Sequence, residues 1–114
     1  MFTMRFDMRT PAAGAPTTAL YGTALDMCAW AETRGAALAV LSEHHATEDG
    51  HLPSPLILAS AIAARTSTLN ILVAAAVLPF YHPVRLAEDM AVLDNLSNGR
   101  VHYAFGIGHR PEEY

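Results

Sequence analysis

Lysine is absent from this 114-residue chain, so every permanent positive side-chain charge sits on one of seven arginines. Against eleven acidic residues these leave a formal net charge of -4. No basic run and no interleaving of basic with aromatic residues occurs, which argues against a nucleic-acid partner. Cysteine is nearly absent as well. The single Cys28 cannot close an internal disulfide, and its place in a helical pattern suits a small buried apolar residue better than a nucleophile. No stretch reaches the roughly 18 charge-free apolar residues of a membrane span; Leu69–Tyr81 is shorter and is interrupted by Pro79. The opening MFTMRFDMR lacks the apolar core of a secretory leader. These absences point to a cytoplasmic chain with no membrane partner. Charged residues make up only 16% and hydrophobic residues 52%, enough apolar surface for one folded domain over residues 1–114.

Short elements alternate along the chain. Phe2–Met8 reads as a first strand, and Thr17 or Thr18 is placed to cap a helix through its hydroxyl. Leu20, Ala24, Met27 and Ala31 recur at helical spacing and predict one apolar stripe, with Trp30 covering the outside of a sheet. Gly35 closes that helix. Ala36–Leu41 is apolar without alternation, as in a strand covered on both faces. Ser54 and Pro55 read as the cap and first position of a second helix running to about Arg65. Leu69–Leu78 is a third apolar strand. Pro83 opens a third helix with Leu86, Met90 and Leu93 inward, and the SNGR turn, Ser97–Arg100, precedes a fourth strand in which Val101, Tyr103 and Phe105 alternate with His102, Ala104 and Gly106. Met4, Met8, Met27 and Met90 are expected as core filler.

The order βαβαβαβ predicts four parallel strands with helices packed outside. Two closures satisfy it. An open flavodoxin-like sheet is self-sufficient and would bind a nucleotide at its strand tips. A (β/α)₈ barrel needs about eight such units and about 250 residues, of which this chain would hold the N-terminal half.

In either closure the C-terminal strand tips line the ligand cleft. The second strand runs into Glu43, His44 and His45 within VLSEHHATEDGH, Val40–His51. Adjacent histidines on a strand point to opposite faces, and no H-x-x-x-H or C-x-x-C spacing occurs, so no metal site is expected. A histidine beside a carboxylate suits proton transfer, because imidazole titrates near neutrality and the acid can orient it. The bland alternative is a strand-end carboxylate capping backbone amides, with two histidines in water. Gly106-Ile107-Gly108 lacks the third glycine of a dinucleotide fingerprint, so it reads first as a turn. Arg100 and Arg110 are candidates to meet anionic ligand groups, or to lie solvated beside Glu112 or Glu113. His82-Pro83 reads as a helix start. Asp7 lines the same mouth or caps a loop.

Three spaced motifs now stand in order: E-H-H from Glu43, L-P-x-x-H-P-x-R-x-A-E-D from Leu78, and L-D-x-L-S-x-G-R from Leu93. Together they closely resemble the N-terminal half of the bacterial luciferase-like flavin-dependent monooxygenases, over about Phe2 to Tyr114. The resemblance implies a half (β/α)₈ barrel and a cofactor of reduced FMN, or the deazaflavin F420 in another branch. It implies His44 as a catalytic proton donor or acceptor, Glu43 as a supporting or structural carboxylate and His45 beside the substrate. Ala74 and Ala75 match a strand-three bulge behind the flavin ring, often with a cis peptide, and Gly106 to Gly108 end strand four near the same ring. The luciferase branch carries an arginine in this region. Here Ile107 stands at the matching place and Arg110 follows later, a departure that weakens any claim to light emission or to flavin-phosphate binding by this segment. The implied partners are a small organic substrate and O₂, and the chain is expected either to associate with itself or to depend on a C-terminal half. A truncated, non-catalytic paralogue that pairs through its sheet edges is the rival reading.

Overall fold

A computed structural model of residues 1–114 contains four strands and three α-helices in strict alternation. These are β1 (Phe2–Phe6), α1 (Thr17–Glu32), β2 (Ala36–Leu41), α2 (Pro55–Arg65), β3 (Asn70–Val77), α3 (Pro83–Ser97) and β4 (Val101–Gly106). Short 3₁₀ turns follow β3 at Leu78–Phe80 and β4 at Pro111–Glu113. The strands pair in parallel in the order β1-β2-β3-β4. A flavodoxin-like sheet reverses its strand order at a switch point. This one does not; each strand lies beside its predecessor, as barrel staves do.

Residue alternation sorts the sheet into two faces. Phe6, Leu41, Val73 and Tyr103 are register partners across the four strands, and so are Met4, Ala39, Ile71 and Val101. These rows pack toward the helices, where Ala24 and Cys28 of α1, Leu58, Ala59, Ile62 and Ala63 of α2 and Leu93 of α3 complete one apolar core. The row Arg5, Val40, Leu72, His102 points the other way. Val40 and Leu72 remain half-buried there, and Arg5 and His102 are exposed. All-parallel sheets are normally covered on both faces. The helix-free face is therefore the concave inner wall of half a (β/α)₈ barrel, with its unpaired edges at β1 and β4.

Burial lifts the thiol of Cys28 to about 11, so it behaves as the small core residue expected. Other expectations need correction. β1 stops at Phe6, and Met8 turns the chain with a left-handed φ of 60°. Helix α1 begins at Thr17 with Pro16 at its N-cap, and no side chain caps it; Thr17 and Thr18 are already inside the helix. Its buried line is Ala24, Cys28 and Ala31, while Met27 is exposed. Trp30 does not cover the sheet: it is 56% exposed and lies against the Arg34 guanidinium, 5.5 Å from the ring centre. α2 and β2 have the expected bounds, and Ser54 is the N-cap of α2 without a side-chain bond. Helix α3 starts behind His82 and ends where Asn98 and Gly99 both adopt left-handed backbone, φ 55° and 79°, a conformation that asparagine and glycine tolerate best.

Two side chains fasten the base of the sheet, opposite the strand tips. Arg100 is neither a ligand residue nor solvated. Its Nη1 donates to Thr66 Oγ1 (2.9 Å) and to the Leu69 carbonyl (2.8 Å). Nη2 donates to the carbonyls of Ala63 (2.9 Å) and Thr66 (3.1 Å), and Nε to that of Ser97 (2.6 Å). A guanidinium can satisfy the free carbonyls of two helix ends at once and complements their negative dipole ends. Glu32, last residue of α1, accepts backbone N–H bonds from Ser67, Thr68 and Leu69 at 2.6–3.0 Å. Partial burial pushes its carboxyl up, but these amides outweigh burial and hold it below its ordinary value.

A group with a depressed folded pKa stabilises above its unfolded value and loses that contribution as acid protonates it. Glu32→Ala is accordingly expected to lower unfolding free energy by about 1 kcal/mol at neutral pH, because solvent screens this partly exposed carboxylate. The difference between the two proteins should shrink below about pH 4. Urea titrations at both pH values check this; a pH-independent difference would show that Glu32 acts through packing.

Candidate active site at the strand tips

The tip of β2 is built around a buried acid. Past Leu41, the Ser42 amide still reaches the Phe6 carbonyl (3.4 Å), and the loop folds back so that Leu52 bridges two tips. The Leu52 N–H donates to the Asp7 carbonyl and its own carbonyl accepts from the His44 N–H, both at 2.9 Å. Glu43 is thereby turned inward and is only 3% exposed. Its Oε1 lies 2.7 Å from His45 Nε2. Its Oε2 accepts from the Val77 N–H (3.0 Å) and the Tyr81 hydroxyl (2.8 Å). A buried carboxylate is costly unless donors reach it, and three reach Glu43. Burial first, and then the Glu43 bond, push the Tyr81 phenol well above its ordinary value, so Tyr81 stays a donor. His45 faces Phe80, ring centres 4.2 Å apart, and Phe80 stacks on Tyr114 at 5.3 Å and 7°.

His44 turns to the other side and meets a different acid. Its Nδ1 lies 2.8 Å from Oε1 of Glu113 in the turn after β4. His51 tilts over the His44 ring, centres 4.1 Å apart, and His109 meets it edge-on at 5.9 Å. Burial, followed by the nearby charge of His44, lowers the His51 pKa below the ordinary histidine value. Burial raises Glu113, but the His44 hydrogen bond and the charges of His44, Arg110 and His109 prevail and hold it below the usual carboxylate range.

Between β3 and β4 the rim is bare of long side chains. The Ala74–Ala75 peptide is cis, and the register with β4 skips one residue there, since Ala74 pairs with Ala104 and Ala76 with Phe105. A Cβ added at Gly106 would sit 3.5 Å from the Ala75 Cβ, so Gly106 and Ala75 form one continuous shelf. Gly108 is separate from it. Its φ is 81°, a Cβ there would lie 3.2 Å from Val77 Cγ1, and any side chain would collide with the Tyr114 hydroxyl roofing it.

The seven sequence-derived site residues thus share one rim but form three groups: Glu43 with His45, His44 with its own partners, and the alanine–glycine shelf beside a roofed Gly108. Glu43 touches His45 rather than His44. Glu113, His51, His109 and Tyr81 were not foreseen as site residues. No group of three or more histidine, cysteine, aspartate or glutamate side chains is placed to hold a metal ion. Asp7 Oδ1 accepts from the Arg9 N–H (3.3 Å), a loop-capping role, and Arg9 pairs with Asp49 at 2.6 Å.

A half barrel with titratable side chains and a bare shelf at its C-terminal rim belongs to the class of α/β-barrel proteins that act at the strand tips. A family model described as luciferase-like monooxygenase matches residues 4–114, and the chain belongs to that family. The alkanal monooxygenase alpha chain of Photorhabdus laumondii is 48% identical over 67 residues, which is 59% of this chain and 18% of that protein. The oxygenase component of the flavin-dependent trigonelline monooxygenase of Acinetobacter baylyi is 30% identical over 95 residues, 83% of this chain and 26% of that one. Among solved structures, monooxygenase RslO1 of Streptomyces bottropensis superposes with a TM-score of 0.91 at 29% identity, covering 99% of this chain and 35% of that one. The chain therefore spans between about a fifth and a third of the length of these relatives. No helix is long and apolar enough to cross a membrane.

Removing the buried acid should leave its donors stranded. Glu43→Ala is expected to cost about 3 kcal/mol of stability and Tyr81→Phe about 1 kcal/mol. Denaturant unfolding of both variants checks the ranking; a Glu43→Ala loss no larger than that of Tyr81→Phe would contradict the central place given to this carboxylate.

Proposed function

We propose that this chain supplies the first four staves of a flavin-dependent monooxygenase that oxidises a small organic substrate with O₂, using reduced FMN. The observation that carries the reading is a partnered, titratable His44 on the same rim as a shelf with no side chain beyond Cβ. A flat conjugated ring needs close, apolar backbone support, and Ala74, Ala75 and Gly106 offer it without steric obstruction. Glu43 serves the shelf indirectly, since its bond to the Val77 N–H ties the end of β3 to the tip of β2. Bound reduced FMN would supply two electrons to O₂. His44 would take or return the accompanying proton at Nε2, the ring atom left free by its contact to Glu113. His45, locked by Glu43 and tilted against Phe80, would wall the substrate side and help exclude water. Gly108 would contribute by letting Tyr114 close over the rim.

The partner reading follows from uncovered apolar surface. Val40 and Leu72 line the open concave face, and Ile57, Val92 and Leu96 stand exposed on the outer side of α2 and α3. Further barrel strands would cover the first surface, and a second copy of the protein the other.

In a chain carrying the remaining barrel strands, His44→Ala is expected to lower turnover at least about 100-fold while changing flavin affinity less than about threefold. Steady-state oxidation and flavin fluorescence titration measure the two; unaltered turnover would remove His44 from the chemistry. The 114-residue chain by itself is expected to self-associate and to bind FMN weakly. Sedimentation showing a monomer with cooperative unfolding and micromolar FMN affinity would contradict the uncovered-sheet argument.

A further inference from the structure

Glu113 is the one buried acid on the rim whose bonding is incomplete. Its side chain is 1% exposed, Oε1 faces His44 Nδ1 at 2.8 Å, and Oε2 has no hydrogen-bond partner. A desolvated carboxylate is costly unless donors repay it, and here the His44 ring is the only donor in contact. An ionised carboxylate can accept but not donate, so the shared proton resides on Nδ1. Neutral imidazole in water prefers its proton on the other nitrogen. We propose that Glu113 is the positioning residue of this site, holding the His44 proton on Nδ1 so that bare Nε2 is the ring's proton acceptor. The proposal rests on His44 being the proton-transfer group.

The surroundings favour this arrangement from each side. The tilted His51 comes from the loop after β2 and is held toward neutrality by burial and by His44, so it does not repel a proton arriving on His44. Asp7, Arg9 and Asp49 face His51 with opposed charges. From the segment after β4, Arg110 and His109 add to the lowering that the His44 hydrogen bond imposes on the Glu113 carboxyl. The order is the one found where a carboxylate fixes a histidine tautomer for chemistry at the far nitrogen.

The test is the His44 tautomer, read by ¹⁵N-resolved NMR of the imidazole nitrogens in the full chain, at a pH where His44 is neutral. His44→Ala identifies the His44 signals. The wild-type chain is expected to show mainly the Nδ1–H form. Glu113→Ala should lower the ratio of Nδ1–H to Nε2–H at least about tenfold. Glu113→Gln, whose amide oxygen can still accept, should retain much of it. A predominant Nε2–H form in the wild type overturns the proposal even if no variant folds. An unchanged ratio in a folded Glu113→Ala, judged by its backbone amide spectrum, overturns it as well. In His44→Ala the Glu113 carboxyl carbon should titrate higher than in the wild type, and an unmoved titration counts against the contact. These readouts involve no turnover. A shifted tautomer with a fully active His44→Ala would therefore leave the positioning intact and sink only the catalytic reading.

Discussion

The rim depends on one carboxylate that has been taken out of water. Glu43 accepts from an imidazole, a main-chain amide and a phenol, and those three donors come from the loop after β2, the end of β3 and the turn beyond it. Parallel strands have no hairpin to fix how their tips sit relative to one another, because each connection runs through a helix on the far side of the sheet. A buried charge supplies that missing constraint. It is satisfied in only one relative placement of β2 and β3, and any other strands it in an apolar medium at a cost of several kcal/mol, about the scale of a domain's net stability.

The base of the sheet is held by the complementary device. Arg100 gathers carbonyls from the ends of α2 and α3, and Glu32 gathers amides ahead of β3. Cation and anion each meet the backbone groups that helix ends and strand starts leave unpaired. The same chemistry thus serves opposite purposes at the two ends. At the base the two charges are spent on backbone groups and one hydroxyl, whereas at the rim two histidines stay partly exposed and one oxygen of Glu113 is unpaired.

Much of this was legible in the sequence, for local reasons. Pro55, Pro83 and the Asn98-Gly99 pair punctuate elements through their own backbone limits, so α2, α3 and the start of β4 could be bounded without tertiary knowledge. The apolar run of β2 was equally plain. Where several residues compete for one face, the pattern was ambiguous: Met27 and Cys28 fit neighbouring stripes of α1, and only packing against the sheet left Met27 outside. Arg100 looked like a surface or ligand cation because nothing local shows that the carbonyls of Ala63 and Leu69 converge on it. The pairing of His44 with Glu113 spans 69 positions, and no spacing rule reaches that far. Which histidine Glu43 would meet was not legible from adjacency, since neighbours in sequence at a strand tip diverge in space.

That divergence has a chemical consequence. Had Glu43 served both histidines, each would have raised the other's cost of carrying a proton, and neither could be tuned alone. The structure assigns one acid to each ring and turns the rings to different neighbours, His45 to Phe80 and His44 to His51 and His109. Glu43 spends its remaining oxygen on the scaffold, which ties its position to stability. Glu113 touches no scaffold amide through its side chain and keeps an oxygen free, so its charge bears mainly on His44. On the proposed role of His44, a fold that must stay rigid at a rim where a proton moves is served by separating the two tasks in this way. The acid that locks the staves together holds one imidazole still, and the acid on the last turn leaves the other imidazole with a nitrogen to use.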